Sequence, residues 1–388
     1  MSEVVLNDIC ELIVDCPHST AYDEGTGYPL VRTPNIGRGR LIYSGMHRVC
    51  EEVYNKRNAR AIPQTNDLIF AREATAGNVA LIQEGEKVCL GQRTVLIRPN
   101  ANLVNPAFLT YHLLAPEQQY KLLSTANGAT VAHVNMPTIR NLKLSLPPLS
   151  TQHRIATILS RYDSLIENYQ KQTKLLEEAA QRLYKEWFID LRFPGHGNIK
   201  IIDGVPEGWE KKKLIDLVNV QYGYAFDGHL FNSKGEGTPI VRIRNIPDGY
   251  TNDYTTEEAN ESYIVNDGDI LIGMDGIFHI NTWCGGKAYL VQRACSFRPK
   301  DVSMKGFILQ AIFEPIKFFE NTVVGATVAH LGKKHIDSIE LLVSNDDKMY
   351  KPFEKMFNER QTLKTQLRFL TEARDRLLPK LMSGEIEV

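Results

Sequence analysis

The hexapeptide GATVAH occurs twice in this chain, at residues 128–133 and 325–330. Around it the matches continue in a fixed order. Ile139, Leu142 and Leu144 align with Ile336, Ile339 and Leu341 at the same offset of 197. Upstream, LGQRTVLIRP (90–99) faces LVQRACSFRP (290–299), NDLIFAR (66–72) faces GDILIGM (268–274), and GYPLVRTPNI (27–36) faces GTPIVRIRNI (237–246). The offset drifts from 210 to 197 while the order never changes, which marks a duplicated unit with loop insertions. A unit of about 150 residues is too long for a solenoid repeat and large enough for its own core. Two copies of one domain are expected.

Within a unit the texture is rich in strands. YPLVR, DLIFA, NVALI, TVLIR and LKLSL are short, apolar or β-branched, and bounded by Gly, Pro and Asn. One helix is expected over PAFLTYHLLAPEQQYKLL, with MKGFILQAIFEPIKFFE as its counterpart. Each unit therefore reads as mixed α+β, dominated by sheet.

After each unit the texture changes abruptly. Residues 151–188 contain no Gly or Pro, and Ser150 stands as an N-cap. Counting in sevens gives Ile155, Tyr162, Tyr169, Leu176 and Leu183 on one row, with Leu159, Ile166, Thr173, Ala180 and Trp187 on the companion row. The second run gives Met356, Leu363, Leu370 and Leu377, with Phe353, Leu367 and Leu381 beside them. These are the a and d positions of a coiled-coil seam. The first helix must deliver the chain to the second domain and the second must run back. An antiparallel coiled coil with an approximate two-fold is expected. The expected divisions are 1–146 and 196–345 for the domains, and 147–195 and 346–388 for the helical spacers.

Composition narrows the function. The net charge of −1 excludes indiscriminate coating of nucleic acid but permits a local basic face. No run approaches a membrane span and the N-terminus has no export signal, so a cytoplasmic protein with reduced thiols is expected. Cys10, Cys16 and His18 lie close in sequence, but no second ligand pair follows at zinc-like spacing, and no metal site is assigned.

LPPLSTQHRIATILSRYDSLIE leading to LYKEWFIDLRFPGHG, the opening VPEGWEKKKLIDL of the second unit and the ending RLLPKLMSGEI resemble the specificity subunit of type I restriction-modification enzymes. The resemblance covers essentially the whole chain, and its conserved regions correspond to residues 147–195 and 346–388. Ser150-Thr151-Gln152 departs slightly from the family's usual acidic opening of the first helix. The resemblance implies two target recognition domains, each reading half of a split double-stranded DNA site. It also implies helices that dock two modification (methyltransferase) subunits, with restriction subunits recruited to the assembly. S-adenosylmethionine, ATP and magnesium would then belong to the partners. The base-reading residues of such domains vary too much to carry over.

The motifs agree with that division of labour. The only Pro-Pro, Pro147-Pro148, is followed by Leu and is no methyltransferase loop, and no phosphate-binding P-loop occurs. His133 and His330 have no acid in line and read as structural. No catalytic residue is assigned. The rival readings are a fused methyltransferase or nuclease, disfavoured by those absences, and a silent cassette that pairs with another specificity chain.

Residues shared by both copies suit shared jobs: a turn at Gly128 or Gly325, or a phosphate contact through Thr130 and Thr327. Base readers should lie where the copies diverge. Arg32, Arg38, Arg40, Arg48, Lys56, Arg57 and Arg60, interleaved with Tyr43 and Tyr54, make the first unit's candidate DNA face, with Arg38 and Arg40 in IGRGRL foremost. Arg72 is added to that face. The second unit offers Arg242 and Arg244 amid Asp248, Asp253, Glu257, Glu258, Glu261, Asp267 and Asp269, an acidic run read as solvated. Its phosphate contact is expected at Lys333 and Lys334. Leu159, Tyr162, Ile166, Tyr169, Leu176, Leu183, Leu363, Leu370 and Leu377 are the expected seam and partner residues.

Overall fold

The computed structural model describes residues 2–124, 133–322 and 329–388. Gly128, Thr130, Gly325 and Thr327 lie outside them. The chain forms two compact units, Met1–Ile166 with Leu370–Val388, and Glu167–Phe369. The boundary cuts through both long helices, so each unit owns part of each.

The duplication is visible sheet by sheet. In the first unit an antiparallel sheet has the order Cys10–Asp15, Thr94–Pro99, Leu68–Ala71, Val79–Leu81. In the second, Val218–Tyr222, Ala294–Pro299, Ile270–Gly273 and Ile280–Thr282 repeat that order. A further sheet pairs Tyr28–Val31 in parallel with Cys89–Leu90, and its counterpart pairs Thr238–Val241 with Ala288–Leu290. The last strands, Lys143–Leu146 and Glu340–Ser344, pair antiparallel with Ser2–Val5 and Trp209–Lys213.

The apolar runs become strands covered on both faces. In Leu68–Ala71, Leu68 and Phe70 enter the core that holds the helices, while Ile69 and Ala71 enter a second cluster with Val31, Ile36 and Leu90. Side chains alternate across a strand, so a continuous apolar run marks burial on two sides.

Two details differ from the sequence expectation. The single helix expected over 106–123 is two, Pro106–Leu114 and Pro116–Ser124. Pro116 has no N–H and clashes with the preceding turn, so it ends one helix and starts the next. Its counterpart is likewise split, into Lys305–Ala311 and Phe313–Thr322. The first long helix begins at Leu149, so Ser150 is already inside its first turn. Its opening is fixed instead by buried Gln152, which donates to the Pro147 carbonyl and accepts from the Asn105 N–H.

The long helices, Leu149–Tyr184 and Lys351–Ser383, keep their heptad rows out of solvent. Leu159, Ile166, Ala180 and Leu363 are buried, and Tyr162, Tyr169, Leu176, Leu183, Leu370 and Leu377 are half-buried. In the second unit Glu177 meets Arg360 and Phe188 meets Phe353 and Tyr350, so one helix climbs as the other descends. The segments are antiparallel. In the first unit Ile155, Ala156 and Leu159 share a core with Leu378, Leu381 and Met382.

The companion row of the second helix is not wholly apolar. Between Phe353, Leu367 and Leu381 it carries Arg360 and Arg374. Arg374 Nη1 donates to Asp163 Oδ1 at 2.9 Å, and Asp163 also accepts from Tyr111 Oη at 2.6 Å. Arg360 Nη2 lies 2.6 Å from Glu177 and donates to Asn281 Oδ1, while Nη1 donates to Thr282 Oγ1. Glu177 is therefore part of the helix contact, although the heptad count leaves it off the seam. No described helix is long and apolar enough to cross a membrane.

Candidate nucleic-acid interface

The basic residues of the first unit divide into two groups. Arg57 is buried, and its three nitrogens donate to the carbonyls of Leu90, Ser19 and Pro17. Arg72 is buried as well, bonded to Asp15 Oδ2 at 2.8 Å and to the Val134 carbonyl at 3.0 Å. Both clamp the fold from inside and leave the candidate DNA face: a guanidinium enclosed this way stays because each nitrogen has a partner. Tyr54 leaves it too, since it stacks on Tyr28 with ring centroids 4.2 Å apart.

Arg38 and Arg48 are exposed, each tethered by one bond, to the Leu114 and Gly27 carbonyls respectively. Arg32 and Arg40 are half-buried. Lys56 and Arg60 are exposed, and Tyr43 presents its ring while bonded to Glu86. The IGRGRL turn needs Gly39, whose φ of +106° is left-handed and whose absent Cβ would come within 3.1 Å of Asp163 Oδ2. The turn that carries Arg38 and Arg40 thus rests on the same carboxylate that holds Arg374.

The second unit is arranged differently. Arg244 grips Asp253 with both Nη2 and Nε at 2.7–3.1 Å. Burial opposes the charge on Asp253, but hydrogen bonds from Arg244 and Asn245 outweigh it and hold its carboxyl below the usual range. Arg242 stacks its guanidinium over Phe231. Asp269 is not part of a solvated acidic face: it is buried against Arg298, as Asp67 is against Arg98 in the first unit. Lys333 and Lys334 are exposed, and Lys333 pairs with Asp337.

The acid missing from sequence beside each repeated histidine is supplied by the fold. Glu73 accepts from His133 Nδ1 at 2.7 Å and lies 2.8 Å from Arg93 Nε. Asp275 accepts from His330 Nδ1 at 2.5 Å and from Arg293 Nη1 at 2.7 Å. The two constellations occupy matching places in the repeat. They differ at one neighbour, because Arg72 also bonds His133 Nε2, whereas Met274 stands at the aligned position. The aligned Gln-Arg of GQRTV and VQRAC is the sequence signal that marks them. Among the described residues no cluster of three or more His, Cys, Asp or Glu could hold a metal ion. Burial pushes the Cys10 thiol up to about 12 and raises that of Cys16.

A duplicated α+β unit, each copy followed by a long helix, defines the class to which this chain belongs. The profile of the type I restriction modification DNA specificity domain matches residues 1–178 and 206–367, and the chain belongs to that family. It is 25% identical over 408 residues to the type I restriction enzyme MjaIX specificity subunit of Methanocaldococcus jannaschii, covering 99% of this chain and 93% of that one. It is 22% identical to the HindI specificity subunit of Haemophilus influenzae, over 75% of this chain and 80% of the relative. In fold it is similar to the crystal structure of a type I restriction-modification S subunit from M. genitalium, with a TM-score of 0.59, 16% identity and coverage of 98% and 95%. This is a type I restriction-modification specificity subunit.

Proposed function

We propose that this subunit reads a bipartite double-stranded DNA site, one half through each recognition domain, and seats two modification subunits on its helices. Restriction subunits then join the assembly. The chain itself performs no chemistry, and S-adenosylmethionine, ATP and magnesium act on the partners, in the cytoplasm. One observation carries the reading. The same frame is built twice, and the stretch that leads from its first parallel strand to Leu68–Ala71 or Ile270–Gly273, 32–67 in one copy and 242–269 in the other, differs in charge and structure. A frame held constant around unlike inserts suits two readers of unlike sequences. Leu165, Leu175 and Phe369, exposed on the long helices, support docking there.

The test is co-purification with a modification subunit, followed by genome-wide mapping of methylated bases. A split motif whose methylation needs both chains is the expected result. Methylation or cleavage by this chain alone, co-eluting with it through gel filtration, would refute the reading.

A further inference from the structure

We infer that Arg32 with Arg93, and Arg242 with Arg293, form two equivalent cradles for a phosphate of the DNA backbone. This rests on the DNA-reading function above and assigns its sequence-independent part.

The first ground is identity. Both arginines are the same in the two copies, while the residues beside them change from Thr33-Pro34 to Ile243-Arg244. A side chain shared by two readers cannot tell their targets apart, but it can hold what the targets share. Phosphate contacts position a protein on DNA without carrying sequence information.

The second ground is placement. In the first unit Val31 pairs in parallel with Leu90, and in the second Val241 pairs with Leu290. Arg32 and Arg242 follow directly on one strand of each pair. Arg93 and Arg293 follow three residues beyond the other, so in each copy two arginines leave the carboxyl end of the same parallel pair in the same register. In the first unit Arg32 and Arg93 line one open cleft of about 250 Å³. Arg32 Nε there is buried with no hydrogen-bond partner.

The third ground is conformation. Arg93 and Arg293 have φ of 64° and 69°, a left-handed geometry that glycine adopts far more readily. A turn needing only that geometry would take glycine, yet both copies keep arginine. Each side chain is 60% and 68% exposed respectively, and each is aimed by a carboxylate that a histidine braces from its other oxygen. Glu73 meets Arg93 at Nε and Asp275 meets Arg293 at Nη1; among the described residues the other nitrogens have no acceptor. An oriented guanidinium with its remaining donors turned outward fits a phosphate. Glu73, Asp275, His133 and His330 act as positioning residues.

The test measures binding of the full chain to a mixed-sequence duplex by fluorescence anisotropy across a salt series. Arg93→Gly and Arg293→Gly should each reduce the slope of log K against log salt by about 0.9, and the double variant by about 1.8. Their melting temperatures should hold or rise, because glycine relieves the left-handed backbone. Arg93→Lys should keep the slope. Wild-type binding with unchanged slopes in the variants would overturn the inference and leave the DNA reading standing. Slopes that fall only together with melting temperature would assign the arginines to the fold and also overturn it. A wild-type chain that binds no duplex, alone or with a modification subunit, would remove the DNA reading and this inference with it.

Discussion

The first and second units share sheets, register and internal ion pairs, yet they differ in what lies between their parallel strands. In the first, the segment carries the IGRGRL turn and the helix Glu51–Arg57, rich in arginine. In the second, Tyr254–Thr255 pairs as His47–Val49 does in the first, the segment adds the strand Ile264–Val265, and the sheet gains Phe231–Asn232 from the chain before it. The repeated parts include the buried pairs that hold the frame, Asp67–Arg98 with Asp269–Arg298, and the more exposed pairs Glu73–Arg93 with Asp275–Arg293. On the proposed function, the constant parts serve what both targets share and the varying parts serve what differs between them. The same contrast runs into the helices, where each unit holds its seam with an arginine–carboxylate pair in a different setting.

That contrast gives the largest expected effect. Asp163 is 3% exposed, so Arg374→Met strands a buried carboxylate and should cost about 3–5 kcal/mol in urea denaturation. Glu177 is 40% exposed, and water can take up its charge when Arg360→Met removes its partner. The second variant should lose clearly less. Equal losses would show that the two seams are not energetically distinct.

Lys364 sharpens the comparison by pH. Burial, followed by repulsion from Arg360, lowers its pKa to about 7 from 10.5. Between about pH 7 and 10.5 the unfolded chain binds the extra proton, so this group makes stability rise with pH through that window. Below pH 7 the penalty is full and constant. Lys364→Met should flatten the slope, by an amount reaching a few kcal/mol across the window. A slope unchanged by the substitution would contradict the assignment.

The smallest effect separates two neighbours. Glu177→Gln should cost about 1 kcal/mol, since a charge-assisted bond to Arg360 becomes a neutral one. Glu178→Gln, whose partners Lys174 and Arg182 lie 3.7–4.0 Å away near the surface, should stay within about 0.5 kcal/mol. Thermal melts of the two variants check this.

Much of this architecture was legible because it is written in local pattern. The strands announce themselves by apolar runs between turn residues, and the helices by heptads free of Gly and Pro. The break at Pro116 was legible in principle, and the apolar periodicity on both sides masked it. Arg360 and Arg374 escaped a count that looked for apolar residues in the row. The Glu73–Arg93–His133 constellation escaped because its members are 20 to 60 positions apart, and no spacing rule links them. Nor does sequence distinguish Arg57 and Arg72, which are buried with a partner on each nitrogen, from Arg38 and Arg48, which are exposed. Charge patterning counts residues; it does not report where their donors end.

The central claim is that the two domains read independently on a common frame. Replacing residues 1–146 with the corresponding domain of a relative that reads a different target, and keeping both helices, tests it most directly. Co-expressed with the modification subunit and read out by genome-wide methylation mapping, the chimera should change one half of the recognised site and leave the other intact. A site altered in both halves, or in neither, would contradict the account.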